Sequence, residues 1–102
     1  MNQRAPGAAQ LANQRAAAVT FLREYPNPGV ETIKFTEQGS VGGAGFWAAN
    51  ALVTIEGKDY AAILGTDIRA SSSNPLPRFD PAAPAPTKVT VVYSDRTSEV
   101  LP

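Results

Sequence analysis

The sequence contains no cysteine and no histidine, and its apolar runs stay far below the ~18–20 residues that a membrane-spanning helix needs. Without cysteine there are no disulfides and no thiol nucleophile, and without histidine the commonest general base is missing. Zinc-finger and blue-copper sites are excluded for the same reason. Nine basic side chains balance nine acidic ones, so no net charge attracts nucleic acid or an anionic membrane. The composition therefore predicts no nucleic-acid partner.

The length limits the protein to one domain. Two domains in 102 residues would each be too small to bury a useful core without disulfides or metal. Leu, Ile, Val and Phe together number 22, just above the ~20% of a chain below which sequences tend to stay disordered. We predict a flexible lead over residues 1–7, followed by a single domain over residues 8–102.

An alanine-rich run from Ala8 to Tyr25 predicts a helix. Alanine, leucine, arginine and glutamine are good helix formers, and neither glycine nor proline interrupts the run. Pro26 and Pro28 then end the helix. Its larger apolar side chains recur at helical spacing and form one stripe, made of Leu11, Ala18, Val19, Phe21, Leu22 and Tyr25.

After this helix the apolar period changes from near 3.6 to 2, which is typical of strands. Strands are predicted over residues 30–36, 46–56, 59–69 and 88–94, and a short fifth strand is left open over 98–101. The glycine-rich residues 38–45 are interpreted as a flexible connection. Residues 70–87 contain five prolines and are predicted to form neither a ladder nor a helix interior.

The clearest pattern is a hairpin around Gly57-Lys58, where glycine first in a two-residue loop favours a type II′ turn. This turn pairs positions whose numbers sum to 115, for example Val53 with Ala62 and Leu52 with Ile63. The sequence thus predicts an α+β fold in which one N-terminal helix packs on a four-stranded, or five-stranded, antiparallel meander sheet. The helix would cover the face that carries Ile33, Phe35, Trp47, Val53, Tyr60, Leu64, Val89 and Val91.

Two regions are candidates for binding a partner. On the outer face of the hairpin, Phe46, Leu52 and Ile63 would form a shallow apolar contact patch, or else an incidental apolar surface. In the proline-rich segment, Arg78 and Phe79 would anchor a stiff protrusion offered to a partner. The alternative for that segment is a spacer between strands, with Phe79 packed onto the body of the domain.

Catalysis and metal binding lack a constellation of suitable residues. Glu56 and Asp59 lie at an exposed turn, and Asp67 stands alone on the outer face. Asp80 or Asp95 alone offers calcium too few oxygen ligands. We therefore expect no enzyme activity, no cofactor and no metal site.

The chain resembles a known type of small domain over residues ~15–69. The helix is followed by Tyr25-Pro26-Asn27-Pro28-Gly29-Val30-Glu31-Thr32-Ile33-Lys34-Phe35, then by the glycine connection, a strand centred on Trp47 and a tight hairpin. This order resembles small exported proteins and lipoproteins of Gram-positive bacteria and actinobacteria with cystatin-like folds, in which an N-terminal helix packs on an antiparallel meander. Such families are largely of unassigned function, so the resemblance implies a cell-envelope setting and carries over no functional residue.

Two functions remain as hypotheses. The first is a non-enzymatic binding or accessory module that contacts a protein partner through the outer sheet face or the proline-rich loop. The alternative is a small-molecule binder with a cavity between helix and sheet. We expect an exported or envelope-associated protein, with the cytoplasm as the alternative, because 17 alanines and nine prolines accompany only three lysines. Membrane attachment would then come only through an anchor outside this chain, and the protein would be a monomer or a weak dimer.

Overall fold

The computed structural model describes residues 5–42, 45–67, 70–72 and 74–101. In these ranges an N-terminal helix is followed by strands, which confirms the α+β class. The elements are α1 (Ala5–Glu24), β1 (Val30–Phe35), β2 (Ser40–Val41), β3 (Trp47–Ile55), β4 (Lys58–Gly65), β5 (Ser71–Ser72), β6 (Val89–Val92) and β7 (Ser98–Leu101).

Helix α1 begins three residues earlier than predicted and ends one residue earlier. Pro6 lies in its first turn, where a missing N–H costs no intrahelical hydrogen bond, so proline does not prevent the earlier start. After the helix, the buried side chain of Asn27 accepts a hydrogen bond of 2.8 Å from the backbone N–H of Gly29. This Asx-type turn directs the chain into β1.

The strands form one sheet in the order β5-β4-β3-β1-β6-β7, with β2 paired to the beginning of β3. Every pairing is antiparallel except that of β1 with β6, which is parallel. The predicted meander is therefore wrong at this point, and the sheet has more strands than the four or five expected. Parallel neighbours require a crossover of a dozen or more residues. The proline-rich segment between β5 and β6 supplies it.

The hairpin of β3 and β4 turns one residue earlier than predicted. Glu56 and Gly57 form the loop, and both have positive φ, 51° and 81°, as a type I′ turn requires. Ile55 consequently pairs with Lys58, and partner numbers sum to 113 rather than 115. Because side chains alternate with a period of two, a shift of two positions leaves every residue on its predicted face.

The new register changes individual partners. Val53 pairs with Tyr60, Leu52 pairs with Ala61, and the predicted pairs of Val53 with Ala62 and Leu52 with Ile63 are wrong. The predicted register would also place Glu56 opposite Asp59, and this like-charge pair is absent because Asp59 pairs with Thr54. The same predicted register pairs Trp47 with Ile68 and Phe46 with Arg69, and positions 68 and 69 lie outside the described residues.

Two short strands lie in segments predicted to be without strands. In the glycine-rich connection, Ser40 and Val41 pair with Ala48 and Trp47. In the segment 70–87, Ser71 and Ser72 pair with β4, so the prediction that this segment forms no ladder is wrong. This ladder is possible because the five prolines of the segment begin only at Pro75, so both paired positions are serines with a backbone N–H. The fifth strand left open over 98–101 is present as β7.

The core lies between α1 and the inner face of the sheet. The predicted inner residues are buried, except for Tyr60, which is half-buried. From the helix the core receives Ala17, Ala18 and Phe21. At the opposite end of the helix stripe, Leu11 packs partly buried against this cluster. The predicted arrangement of the helix over this face is confirmed.

Polar side chains of α1 fasten it to two loops of the sheet. The Gln10 amide donates to the carbonyl of Gly39 at 2.8 Å and accepts from the Gly39 N–H at 3.0 Å. One turn later, Gln14 makes the same kind of two-way contact with Ser94 beyond β6. Arg15 forms an ion pair of 3.1 Å with Glu99 of β7. Hydrogen bonds and an ion pair from polar helix side chains therefore position α1 on the sheet.

Candidate functional site: the outer sheet face and the helix groove

The outer face of the sheet, opposite α1, carries three of the five predicted contact residues. Leu52 and Ile63 are neighbours there, and Phe46 lies four positions before Asn50, about 13 Å further along the strand direction. Phe46 and Ile63 are 45% and 44% exposed, and Leu52 is half-buried. In the observed register Ile63 lies opposite Asn50, so Ile63 and Leu52 are diagonal neighbours across β3 and β4. We call Phe46, Ala48, Leu52, Ala61 and Ile63 the outer patch.

A shallow groove borders the outer patch towards the β5 edge of the sheet. It has a volume of about 410 Å³ and is lined by Asn50, Ala61, Ala62, Ile63, Ser71 and Ser72. One polar group of its rim already has a partner within the protein, because the Asn50 amide donates a hydrogen bond to Glu37. An apolar floor with a polar rim is the usual composition of a protein contact surface.

The centre of the outer face is polar. In one row across the sheet, Thr54 pairs with Thr32, and Thr32 pairs with Thr90. Thr54 also donates a hydrogen bond of 2.6 Å to Asp59. In the next row, Lys34 stands beside Leu52. Apolar side chains return at the far end of the face, where Val92 pairs with Lys34 and Val100, 57% exposed, pairs with Thr90. The outer face therefore has one apolar area on β3 and β4 and a smaller one on β6 and β7.

The remaining two predicted contact residues lie on the helix side of the sheet. The Phe79 ring packs edge-to-face on Tyr25, with ring centroids 5.1 Å apart and planes at 78°. The Tyr25 hydroxyl donates a hydrogen bond to the carbonyl of Pro77, and burial raises the pKa of Tyr25. Arg78, between these contacts, is exposed. Phe79 thus has the structural contact that the spacer interpretation expects, and Arg78 does not share a surface with the outer patch.

A second groove, which sequence reasoning missed, runs along the flank of α1. It has a volume of about 420 Å³ and is lined by Arg15, Val19, Leu22, Arg23, Ala85, Pro86 and Leu101. We call this set the arginine groove. The helix residues recur at spacings of four, three and one, so they share one helical face. The signal in the sequence was this arginine–valine–leucine–arginine face, but its opposite wall comes from positions more than sixty residues later.

The described residues contain no group of three or more acidic side chains arranged to hold a metal ion. In the described part of the chain, no helix is both long enough and apolar enough to cross a membrane.

No family model matches this chain, and no curated protein and no solved structure matches it either.

Proposed function

We propose that this protein is a non-enzymatic binding module that contacts a protein partner through the outer patch. The observation that carries the proposal is the exposure of Phe46 and Ile63, nearly half each, on a sheet face opposite the only helix of the described residues. Large exposed apolar side chains on one sheet face are a usual mark of an interaction surface.

The composition of the patch suits a contact with another protein. Aromatic residues near the centre of an interface carry much of its binding energy, and a polar rim excludes water around them. Phe46 supplies an exposed aromatic ring at one end of the patch, and Asn50 and Ser71 border the groove beside Ile63. Ala48 lies between Phe46 and Asn50 on the same face, and Ala61 lies beside Leu52 beyond Ile63, so these small residues leave room for a partner's side chains on both sides of Ile63.

The decisive experiment replaces Ile63 with photoreactive benzoylphenylalanine and identifies the protein that it captures in the source cells. The same photoreactive residue at Ala12, an exposed position of α1, is the control. The captured protein is then purified, and its affinity for Phe46→Asp is measured. We expect affinity to fall about tenfold or more, because a charge replaces the exposed aromatic side chain of the outer patch.

The matched control for Phe46→Asp is Val41→Asp. Val41 is 64% exposed and lies in β2, facing the helix side of the sheet. Its substitution likewise replaces an exposed apolar side chain by a carboxylate, but on the face opposite the patch. Equal weakening by both variants, or capture of the same proteins from Ile63 and Ala12, would show that the patch is not the binding surface. Circular dichroism of each variant checks that the fold is retained.

We further propose that the module acts outside the cytoplasm, exported or attached to the cell envelope. Its alanine- and proline-rich, lysine-poor composition supports this setting. Fractionation of source cells, followed by detection of the protein in each fraction, is the test. Recovery with the cytoplasmic markers alone would contradict it.

A further inference from the structure

The arginine groove combines an apolar floor with two cationic groups at its ends. Arg15 and Arg23 are eight positions apart on α1, which corresponds to about 12 Å along the helix axis. Between them the helix contributes Val19 and Leu22, both partly buried against the core. Apolar side chains therefore line the helix wall of the groove between the two arginines.

The opposite wall of the groove is also apolar. Ala85 and Pro86 of the proline-rich segment face the helix, and Leu101 of β7 closes the floor. Proline has no backbone N–H, so this wall offers little for pairing with a peptide backbone. An alkyl chain, which needs no hydrogen bonds, suits such a wall better than a peptide.

The two arginines differ in their electrostatic environment. Arg15 is held by Glu99 at 3.1 Å, with both side chains partly exposed. Within the described residues, no carboxylate lies within ion-pair distance of Arg23. The three charged groups along the groove therefore leave one net positive charge, located at the Arg23 end. This charge complements a single anionic group.

We propose that the arginine groove binds a monoanionic amphiphile with an unbranched alkyl chain, of the class of medium-chain fatty acids. The carboxylate is placed on Arg23, whose planar guanidinium can donate two parallel hydrogen bonds to it. The alkyl chain lies over Val19 and Leu22, beneath Pro86. A volume of about 420 Å³ lies in the range of 300–1,000 Å³ that small-molecule sites occupy. This site is on the helix side of the sheet, so it is independent of the outer patch.

The test titrates the protein with decanoate below the concentration at which this probe forms micelles. Binding is measured by calorimetry, and its location by amide chemical shifts in a heteronuclear NMR spectrum. Decyltrimethylammonium, which has the same tail and the opposite charge, is the ligand control. We expect decanoate to bind more tightly than this cation and to shift the amides of Val19, Leu22 and Leu101.

Arg23→Glu is the principal variant, and Lys34→Glu is its matched control, because both reverse one exposed charge and Lys34 lies on the outer face. We expect Arg23→Glu to weaken decanoate binding about tenfold or more, since a charge-assisted bidentate contact becomes a repulsion. Lys34→Glu should change it by less than about twofold, as expected for a distant exposed charge.

Arg23→Gln separates binding from stability. Arg23 lies in the last turn of α1, where a cation also stabilises the helix dipole. Gln removes the charge and remains a good helix former with a polar end. A loss of decanoate affinity with a retained thermal transition supports the proposal. It is overturned if Arg23→Gln lowers stability but not affinity, if decanoate and the cation bind equally, if decanoate does not bind, or if the shifted amides lie on the outer face.

Discussion

The side-chain amide of Gln14 is fully buried and hydrogen-bonds both the hydroxyl and the backbone N–H of Ser94, eighty positions later in the chain. The amide nitrogen donates to the Ser94 hydroxyl at 2.7 Å, and the amide oxygen accepts from the Ser94 N–H at 3.0 Å. This pair joins the middle of α1 to the loop between β6 and β7. These two hydrogen bonds thereby hold the β6–β7 end of the sheet against the helix.

Replacing Gln14 by leucine should lower the free energy of unfolding by about 1–3 kcal/mol, because the Ser94 N–H is left buried and unpaired. Ser94→Ala is the control: it removes only the hydroxyl contact and keeps the backbone one, so its cost should be about 1 kcal/mol. Urea titration of both variants gives the comparison. Equal or higher stability of Gln14→Leu would mean that apolar packing outweighs the hydrogen bonds at this position.

Gly39 is required by close packing and not by its backbone angles. A Cβ atom there would overlap the Trp47 ring and lie 2.7 Å from the carbonyl oxygen of Ala48. Gly39→Ala should therefore cost about 1–3 kcal/mol, as overpacking does elsewhere. The indole N–H of Trp47 is also buried, and it has no hydrogen-bond partner among the described residues.

Gly42 provides the matched comparison in the same connection. A Cβ atom there meets nothing within 4 Å, so Gly42→Ala should stabilise the protein by about 0.4–1 kcal/mol through the entropy of the unfolded chain. Thermal unfolding of the two variants is expected to move in opposite directions. A shift of the same sign in both would refute the packing argument for Gly39.

The β3–β4 hairpin shows how far sequence patterns define this fold. The alternation of apolar residues fixed which side chains are buried, and this part of the prediction survived an error of two positions in the register. The error arose because glycine at 57 satisfies either turn: it is the first loop residue of type II′ or the second of type I′. Only the type I′ turn requires a positive φ at Glu56. Glutamate rarely adopts positive φ, so the sequence does not indicate this turn.

The β1–β6 pairing and the arginine groove were beyond sequence reasoning for a common reason. Both depend on where the proline-rich crossover places distant parts of the chain, and no local pattern encodes that path. The outer patch, in contrast, follows from strand alternation alone, so Phe46, Leu52 and Ile63 were found together. Phe79 was found as an aromatic residue in a loop, but its contact with Tyr25 comes from the crossover path.

The turn itself can be tested by Glu56→Asn. Asparagine tolerates the left-handed region better than glutamate, and Asn-Gly is the preferred type I′ sequence, so we expect a gain of about 0.5–1 kcal/mol. Glu31→Asn, at an exposed position of β1, should give no gain because asparagine is disfavoured in strands. Denaturant midpoints compare the two. A loss of stability in Glu56→Asn would argue against the type I′ assignment.

Tyr93 should make the protein sensitive to alkali. Burial raises its pKa above the usual value, and its hydrogen bond to Glu99 acts in the same direction. The folded state thus keeps the phenol proton at a pH where the unfolded state loses it, so this contribution is complete below about pH 10 and declines above it. Urea midpoints of wild type and Tyr93→Phe between about pH 9 and pH 11 should show a smaller decline for the variant. Parallel curves would contradict this assignment.

The contact of Phe79 with Tyr25 should protect the proline-rich segment from proteolysis. Phe79→Ala removes an aromatic pair worth about 0.5–1.5 kcal/mol beyond its buried area, and the segment would then detach locally more often. We expect trypsin to cleave after Arg78 faster in this variant, while cleavage after Arg96, in the exposed β6–β7 turn, keeps its rate. If cleavage after Arg78 is unchanged, the Tyr25 hydroxyl bond to Pro77 is sufficient to hold the segment, and Tyr25→Phe should release it instead.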